Sequence, residues 1–302
     1  MRFIVIPDTQ KYVLKSKNAL DQVRRAIHEL RRERPCELVI GLGDLVNDGA
    51  SDMSQVEQGA RFVKGLEADG CLYVAVPGNR DYDQVLVKQK KATKVGLQSR
   101  SLACFNRYLV SASSYLYFDN VQFFQPGCLE NVFFEYQTYK FLLLEFAPRQ
   151  AVVAWVQSVL DQDQDQQPLI FITHNFLDYK GDYANATSHG SSHNYILTHQ
   201  DADGQQLWQQ LLQPLDRRIL SFSGHFTRGT MAERFDQTQG GQRAAHIFRN
   251  WQTAVDGGGG RFLVVDVAGD LAQASVRSYQ PGRGYLDSGQ LDIDFVGHRV
   301  IL

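Results

Sequence analysis

An α/β fold is predicted by the order of patterns along the chain. Short β-branched runs alternate with amphipathic helical stretches over the first 80 residues, and a block of aromatic-rich alternating runs follows. Apolar runs repeatedly end in a polar cluster. Residues 2–7 form the first run. Leu20, Val23, Ile27 and Leu30 then recur at helical spacing behind a capping Asn18, with Asp21 three residues on, until Pro35 stops the helix. Residues 38–42 give a second strand and residues 53–67 a second helix, burying Val56, Ala60, Val63 and Leu66. Residues 72–76 give a third strand, and this βαβ grammar makes strands one to three parallel and buried. In the middle, residues 115–118, 121–124, 132–136 and 141–146 read as consecutive antiparallel strands. Their alternating aromatics suit a sheet core better than base stacking. A helix at 150–160, a solvated stretch at 161–167, a strand at 169–173 and a polar insertion at 177–203 follow. A helix at 205–212 and strands at 219–223, 244–248, 262–267 and 274–279 complete the reading, with residues 257–260 a flexible glycine loop.

No Pro/Gly/Ser-rich linker divides the 302 residues, so one domain over 1–302 is expected, its motifs within about 3–230 and the strands of 244–302 completing the second sheet. Lys plus Arg number 31 against 33 Asp plus Glu, a formal net charge of -2; no global field is available to hold nucleic acid or an acidic membrane. The longest apolar stretches fall far short of the roughly 20 residues of a membrane helix, and no signal-like start is seen, so a cytoplasmic location is expected. Cys36, Cys71, Cys104 and Cys128 lack zinc-knuckle or redox spacing and read as reduced, mostly buried thiols.

The residues able to do chemistry stand where apolar strands end. These are Asp8 and Gln10 after the first, Gly43-Asp44 after the second, Gly78-Asn79-Arg80-Asp81 after the third, and His174 and Gly224-His225 after later ones. In open α/β sheets ligands bind outside the carboxyl ends of the strands, so such groups can converge. One aspartate after a strand is ordinarily a turn or capping residue. The ordered set of carboxylates, amides and imidazoles points instead to a divalent cation of intermediate softness such as manganese, iron or zinc.

These stations, in this order and spacing, resemble the calcineurin-like metallophosphoesterases, in the branch whose first motif reads Asp-Thr-Gln, here Asp8-Thr9-Gln10. Residues 105–108, 193–195 and 207–208 resemble that branch too. The resemblance implies a four-layer α/β/β/α sandwich, two mixed sheets face to face with helices outside. It also implies a dinuclear metal site whose two divalent ions are bridged by an aspartate and a hydroxide that attacks phosphorus.

Carried over by position, Asp44 would bridge the ions, with Asn79, His174 and His225 completing one site and Asp8 and Gln10 the other. Three positions depart from the pattern. Gln10 and Thr227 stand where many members have histidine, which favours manganese, iron(II) or magnesium at the weaker site, with His193 able to supply a replacement imidazole. Arg80 stands where most have the histidine that protonates the leaving group. A guanidinium cannot donate a proton at ordinary pH, although it can clamp phosphoryl oxygens, unless it is spent on a salt bridge to Asp81. Arg80 and His193 are therefore the candidate catalytic residues beside the metal ligands. His189 and His199 read as solvated, and His28, His246 and His298 as structural or exposed.

The expected activity is metal-dependent hydrolysis of a phosphorylated small molecule or phosphoprotein. The alternative, motivated by Gln10, Arg80 and Thr227, is a relative that binds metal or a phosphorylated ligand without turnover. Nucleic-acid binding fits the charge balance poorly.

Overall fold

The computed structural model describes residues 1–83, 99–163, 165–195, 198, 200–297 and 299–301. Its strands are β1 (Arg2–Ile6), β2 (Leu38–Gly41), β3 (Leu72–Ala75), β4 (Asp119–Phe123), β5 (Val132–Tyr136), β6 (Tyr139–Leu144), β7 (Leu169–Thr173), β8 (Ile219–Ser223), β9 (Met231–Gln237), β10 (Arg243–Arg249), β11 (Phe262–Val267), β12 (Gln273–Gln280), β13 (Gly284–Tyr285), β14 (Leu291–Asp294) and β15 (Arg299–Ile301). Helices are α1 (Gln10–Val13), α2 (Ala19–Glu33), α3 (Met53–Ala68), α4 (Gln150–Gln162) and α5 (Gly204–Leu207).

Two mixed sheets result. One runs β15-β14-β12-β11-β1-β2-β3, with β13 paired to β12, and the other runs β4-β5-β6-β7-β8-β10-β9. As expected, β1, β2 and β3 are parallel. So are β6, β7, β8 and β10, hence the carboxyl ends of these parallel strands point one way within each sheet. Alternation assigns the faces of the second sheet. Phe134, Phe141, Ile172 and Phe222 meet the first sheet in one core, where the Phe3 and Phe222 rings lie edge to face at 6.0 Å. Phe133, Leu142, Leu144 and Phe171 face outward and are covered by Val152, Val153 and Val156 of α4. Residues of α2 and α3 join the core of the first sheet, giving the layered sandwich.

Several expectations are corrected. Residues 115–118 are not a strand. A 3₁₀ turn spans Ser113–Tyr117, because Ser111 Oγ accepts the Ser114 backbone N–H at 3.2 Å and winds the chain. Its Tyr115 still enters the aromatic core, edge-on to Phe134. The strands of 244–302 do not complete one sheet: only β10 joins the second, whereas β11 pairs with β1 and carries β12, β14 and β15 into the first. Asn18 precedes α2 but makes no side-chain capping bond. Residues 205–212 divide into α5 and a π-helical turn, Trp208–Leu212. The 257–260 glycines are tightly placed rather than loose, since a Cβ on Gly257 would stand 2.6 Å from the Lys11 carbonyl carbon. Of the four free cysteines, Cys36 and Cys71 are buried and Cys104 and Cys128 half-buried. His199 and His298 lie outside the described residues. No helix among the described residues is long and apolar enough to cross a membrane.

Candidate metal centre

Hydrogen bonds between the strand-end loops gather the site. Thr9 and Gln10 donate their backbone N–H groups to the Asp44 carbonyl, at 3.1 and 3.0 Å, which ties the β1 loop to the β2 loop. Gly224 N–H donates to the His174 carbonyl at 3.0 Å, joining the ends of β7 and β8. The third link is Asp81. Its buried carboxylate accepts the N–H groups of Asp44 (2.7 Å), Gly78 (2.9 Å) and Val46 (3.2 Å) and pins the β2 and β3 loops together. Burial pushes Asp81 up to about 7, as does the neighbouring Asp44 charge. Because Asp81 is committed to backbone, it does not pair with Arg80, and among the described residues Arg80 has no ion-pair partner.

Asp44 sits at φ +53°, a left-handed conformation that Asp tolerates better than most residues, immediately after Gly43 at φ +91°. This turn aims the Asp44 carboxylate between the two sheets. It accepts Gln10 Nε2–H at 2.6 Å and the Arg80 backbone N–H at 2.8 Å, and its Oδ1 lies 3.5 Å from His174 Nε2. Donor atoms of Asp8, Asp44 and His174 all lie within 4.8 Å of one another. The His174 and His225 rings are 5.0 Å apart. Asn79, Arg80 and His225 line the same cavity of about 200 Å³ as Gln10 and Asp44.

The donor set fits divalent cations by a test independent of spacing. Gln10 Oε1, Asn79 Oδ1 and His174 Nε2 are buried polar atoms with no hydrogen-bond partner, a costly condition that a cation relieves. Both imidazoles are also oriented as ligands usually are, each with its other ring nitrogen held by a backbone carbonyl: His174 Nδ1 by Leu42 and His225 Nε2 by Gly190, both at 2.7 Å. Burial pushes His225 down to about 4, so it is neutral and able to bind metal. Burial opposes charge on His174 as well, but the Asp44 and Asp8 carboxylates outweigh it and hold this ring up at about 9. Burial pushes Asp8 up to about 7.

These shifts set a pH dependence for the metal-free protein. Raised values mean that the folded protein holds protons already released by the unfolded chain: Asp8 and Asp81 between about 4 and 7, and His174 between about 6.5 and 9. His225, and the buried His246 pushed down to about 3, do the reverse below about 6.5. The two sets oppose each other in acid, and above pH 6.5 only the first acts. Stability should therefore fall as pH rises from about 6.5 through 9. Melting temperatures of chelator-treated protein across that range check this; a rise would contradict it.

The structure brings Asp8, Gln10, Asp44, Asn79, Arg80, His174 and His225 together and leaves His193 out. His193 Nε2 bonds Asp203 Oδ2 at 2.9 Å, and His193 does not line the cavity. The exposed His189 does, together with Arg228, Lys11, Tyr195 and Thr227. Sequence reasoning also missed Asn250 and Gln252. Asn250 Nδ2–H and Gln252 Nε2–H both donate to Asp8 Oδ2 at 2.9 Å, and Gln252 Oε1 accepts Gln10 Nε2–H at 2.8 Å. They follow β10 as Asn79 follows β3, so the strand-end rule applied once more would have found them.

A family model described as calcineurin-like phosphoesterase matches residues 1–225. Among solved structures, the chain is similar to a dimetal phosphatase from Danio rerio. The TM-score is 0.53 at 14% identity, covering 98% of this chain and 99% of that one. It is also similar to GAP50, the anchor in the inner membrane complex of Plasmodium, with TM-score 0.50 at 10% identity, covering 98% of this chain and 88% of that one. At these identities the likenesses establish the fold. No curated protein matches the sequence.

Proposed function

Since the chain belongs to the calcineurin-like phosphoesterase family of metal-dependent hydrolases, we propose that it hydrolyses a phosphate ester in a single displacement by water at a two-cation site. The observation that carries this reading is the trio of partnerless buried atoms, Gln10 Oε1, Asn79 Oδ1 and His174 Nε2, converging around Asp8 and Asp44. Asp44 would bridge the cations, Asn79, His174 and His225 complete one site, and Asp8 and Gln10 contribute to the other. The neutral amide of Gln10 and the hydroxyl of Thr227 favour manganese, iron(II) or magnesium there over zinc. When bound, such a pair lowers the pKa of a water towards neutrality and offsets the charge on phosphoryl oxygens.

The protein's own residues do the rest. Asn250 and Gln252 hold Asp8 in one orientation through Oδ2, and Gln252 fixes the amide of Gln10. Arg80 lines the cavity, its guanidinium without an ion-pair partner among the described residues, placed to clamp phosphoryl oxygens and to stabilise charge as it develops. It cannot protonate the departing oxygen. His193 cannot serve in its place while bound to Asp203 outside the cavity.

Two experiments test this. Elemental analysis should count two divalent ions per chain, and the manganese-loaded protein should hydrolyse p-nitrophenyl phosphate. Two bound ions without turnover of any ester would favour the binding-only alternative. Across aryl and alkyl phosphates, kcat should fall steeply as the leaving-group pKa rises. A flat dependence would reveal a proton donor, and His189, on the cavity wall, would then be the residue to replace.

A further inference from the structure

Beside the metal cavity lies a second, larger space, a groove of about 490 Å³ walled by the 178–188 segment, Gln205 and Arg234. His189 and Arg228 line both, so the groove lies directly beside the metal cavity. The wall is built rather than loose. Asp178 Oδ1 accepts the backbone N–H groups of Lys180 (2.8 Å) and Asp182 (3.1 Å), and Ala184 N–H donates to the Phe176 carbonyl at 2.9 Å. Tyr183 stacks on Trp208 at 5.4 Å.

We infer that this groove is the subsite for the organic part of the substrate, and that this part is a sugar joined to phosphate through its anomeric oxygen. The inference rests on the hydrolytic reading above and extends it to substrate class. Its chemistry comes from two sides. The wall offers hydroxyl, amide and carboxylate groups on Asp182, Asn185, Thr187, Ser188 and Gln205, which pair with hydroxyls, and beyond the rings of Tyr179 and Tyr183 it presents no apolar side chain to seat an acyl chain. Arg80, lacking a proton to give, favours a departing oxygen more acidic than that of an ordinary alcohol. A hemiacetal hydroxyl meets both demands. In the reaction, an O–P bond forms from water and the P–O bond to the anomeric oxygen breaks. The electron pair leaves on that oxygen, which takes a proton from solvent, and sugar and inorganic phosphate are released.

The test compares glucose 1-phosphate, glucose 6-phosphate and p-nitrophenyl phosphate on the manganese-loaded protein. Thr187→Trp, which fills the groove from an exposed position, and Gln205→Ala serve as variants, with circular dichroism verifying the fold. The expected results are a kcat/KM for glucose 1-phosphate at least tenfold above that for glucose 6-phosphate, and a KM for glucose 1-phosphate raised at least fivefold more than that for p-nitrophenyl phosphate by Thr187→Trp. Calorimetric binding of the non-hydrolysable methylene phosphonate of glucose should weaken in parallel. Equal kcat/KM for the two sugar phosphates, or variants that shift sugar and aryl substrates alike, would overturn the subsite while leaving the hydrolytic reading intact. Failure to hydrolyse any of the three would remove that reading and the subsite with it.

Discussion

Asp44→Asn should lower metal uptake and hydrolysis together while leaving the fold in place. Asparagine is nearly isosteric, tolerates the left-handed backbone at φ +53°, and can still accept the Arg80 N–H through its amide oxygen, giving up only the bond from Gln10 Nε2–H to Oδ2. What it loses is the one negative charge that both proposed metal sites share. With Asp8 alone supplying charge, two divalent ions would face strong mutual repulsion. The expected loss in kcat/KM is about a thousandfold or more, equivalent to roughly 4 kcal/mol of transition-state stabilisation. Elemental analysis should show fewer than two ions per chain, and circular dichroism an unchanged spectrum. A variant keeping activity within tenfold of the parent would remove Asp44 from the bridging position.

Gly78→Ala should be strongly destabilising. A Cβ at Gly78 would stand 2.2 Å from Asp44 Oδ1 and 2.4 Å from the Asp44 backbone nitrogen. Neither loop can retreat, because Asp81 Oδ2 accepts the N–H groups of both Asp44 and Gly78. Relief of the clash must therefore break a buried charge-assisted clamp, and the cost should be about 4 kcal/mol or more. Denaturant unfolding measures this directly. Gly269→Ala is the control, since nothing lies within 4 Å of its Cβ position, and it should change stability by no more than about 0.5 kcal/mol.

Much of this site was legible in the sequence because one rule, an apolar run ending in polar residues, locates strand termini and so the catalytic edge. That rule found Asp8, Asp44, Asn79, His174 and His225. It was not carried to the end of β10, where Asn250 and Gln252 stand after Phe248 and Arg249. The expectation for His193 failed for a different reason. His189 and His193 share a polar insertion with no periodicity, and the contact that holds His193 is made to Asp203, ten residues on, whose capping box no local pattern in the insertion announces. In the fold, β9 escaped because an edge strand with one neighbour needs no continuous apolar run, and its seven residues carry none. Residues 115–118 misled in the opposite sense, since an aromatic pair that packs in a core can come from a 3₁₀ turn as well as from a strand. The destination of the C-terminal strands depends on pairing across more than 200 residues, which local patterns do not encode.

That distant pairing bears on how the chain reaches its native state. β1 is interior to its sheet, flanked by β2 on one side and by β11 on the other, with Arg2 opposite Asp266. During synthesis β1 must wait for β11, paired with it through Arg2 and Asp266, before its second edge is covered. Until then an apolar, half-paired strand is exposed to other nascent chains. Closure over so long a loop is intrinsically slow, and until it is complete the open edge of β1 is a place where a chaperone or an aggregation partner can take hold.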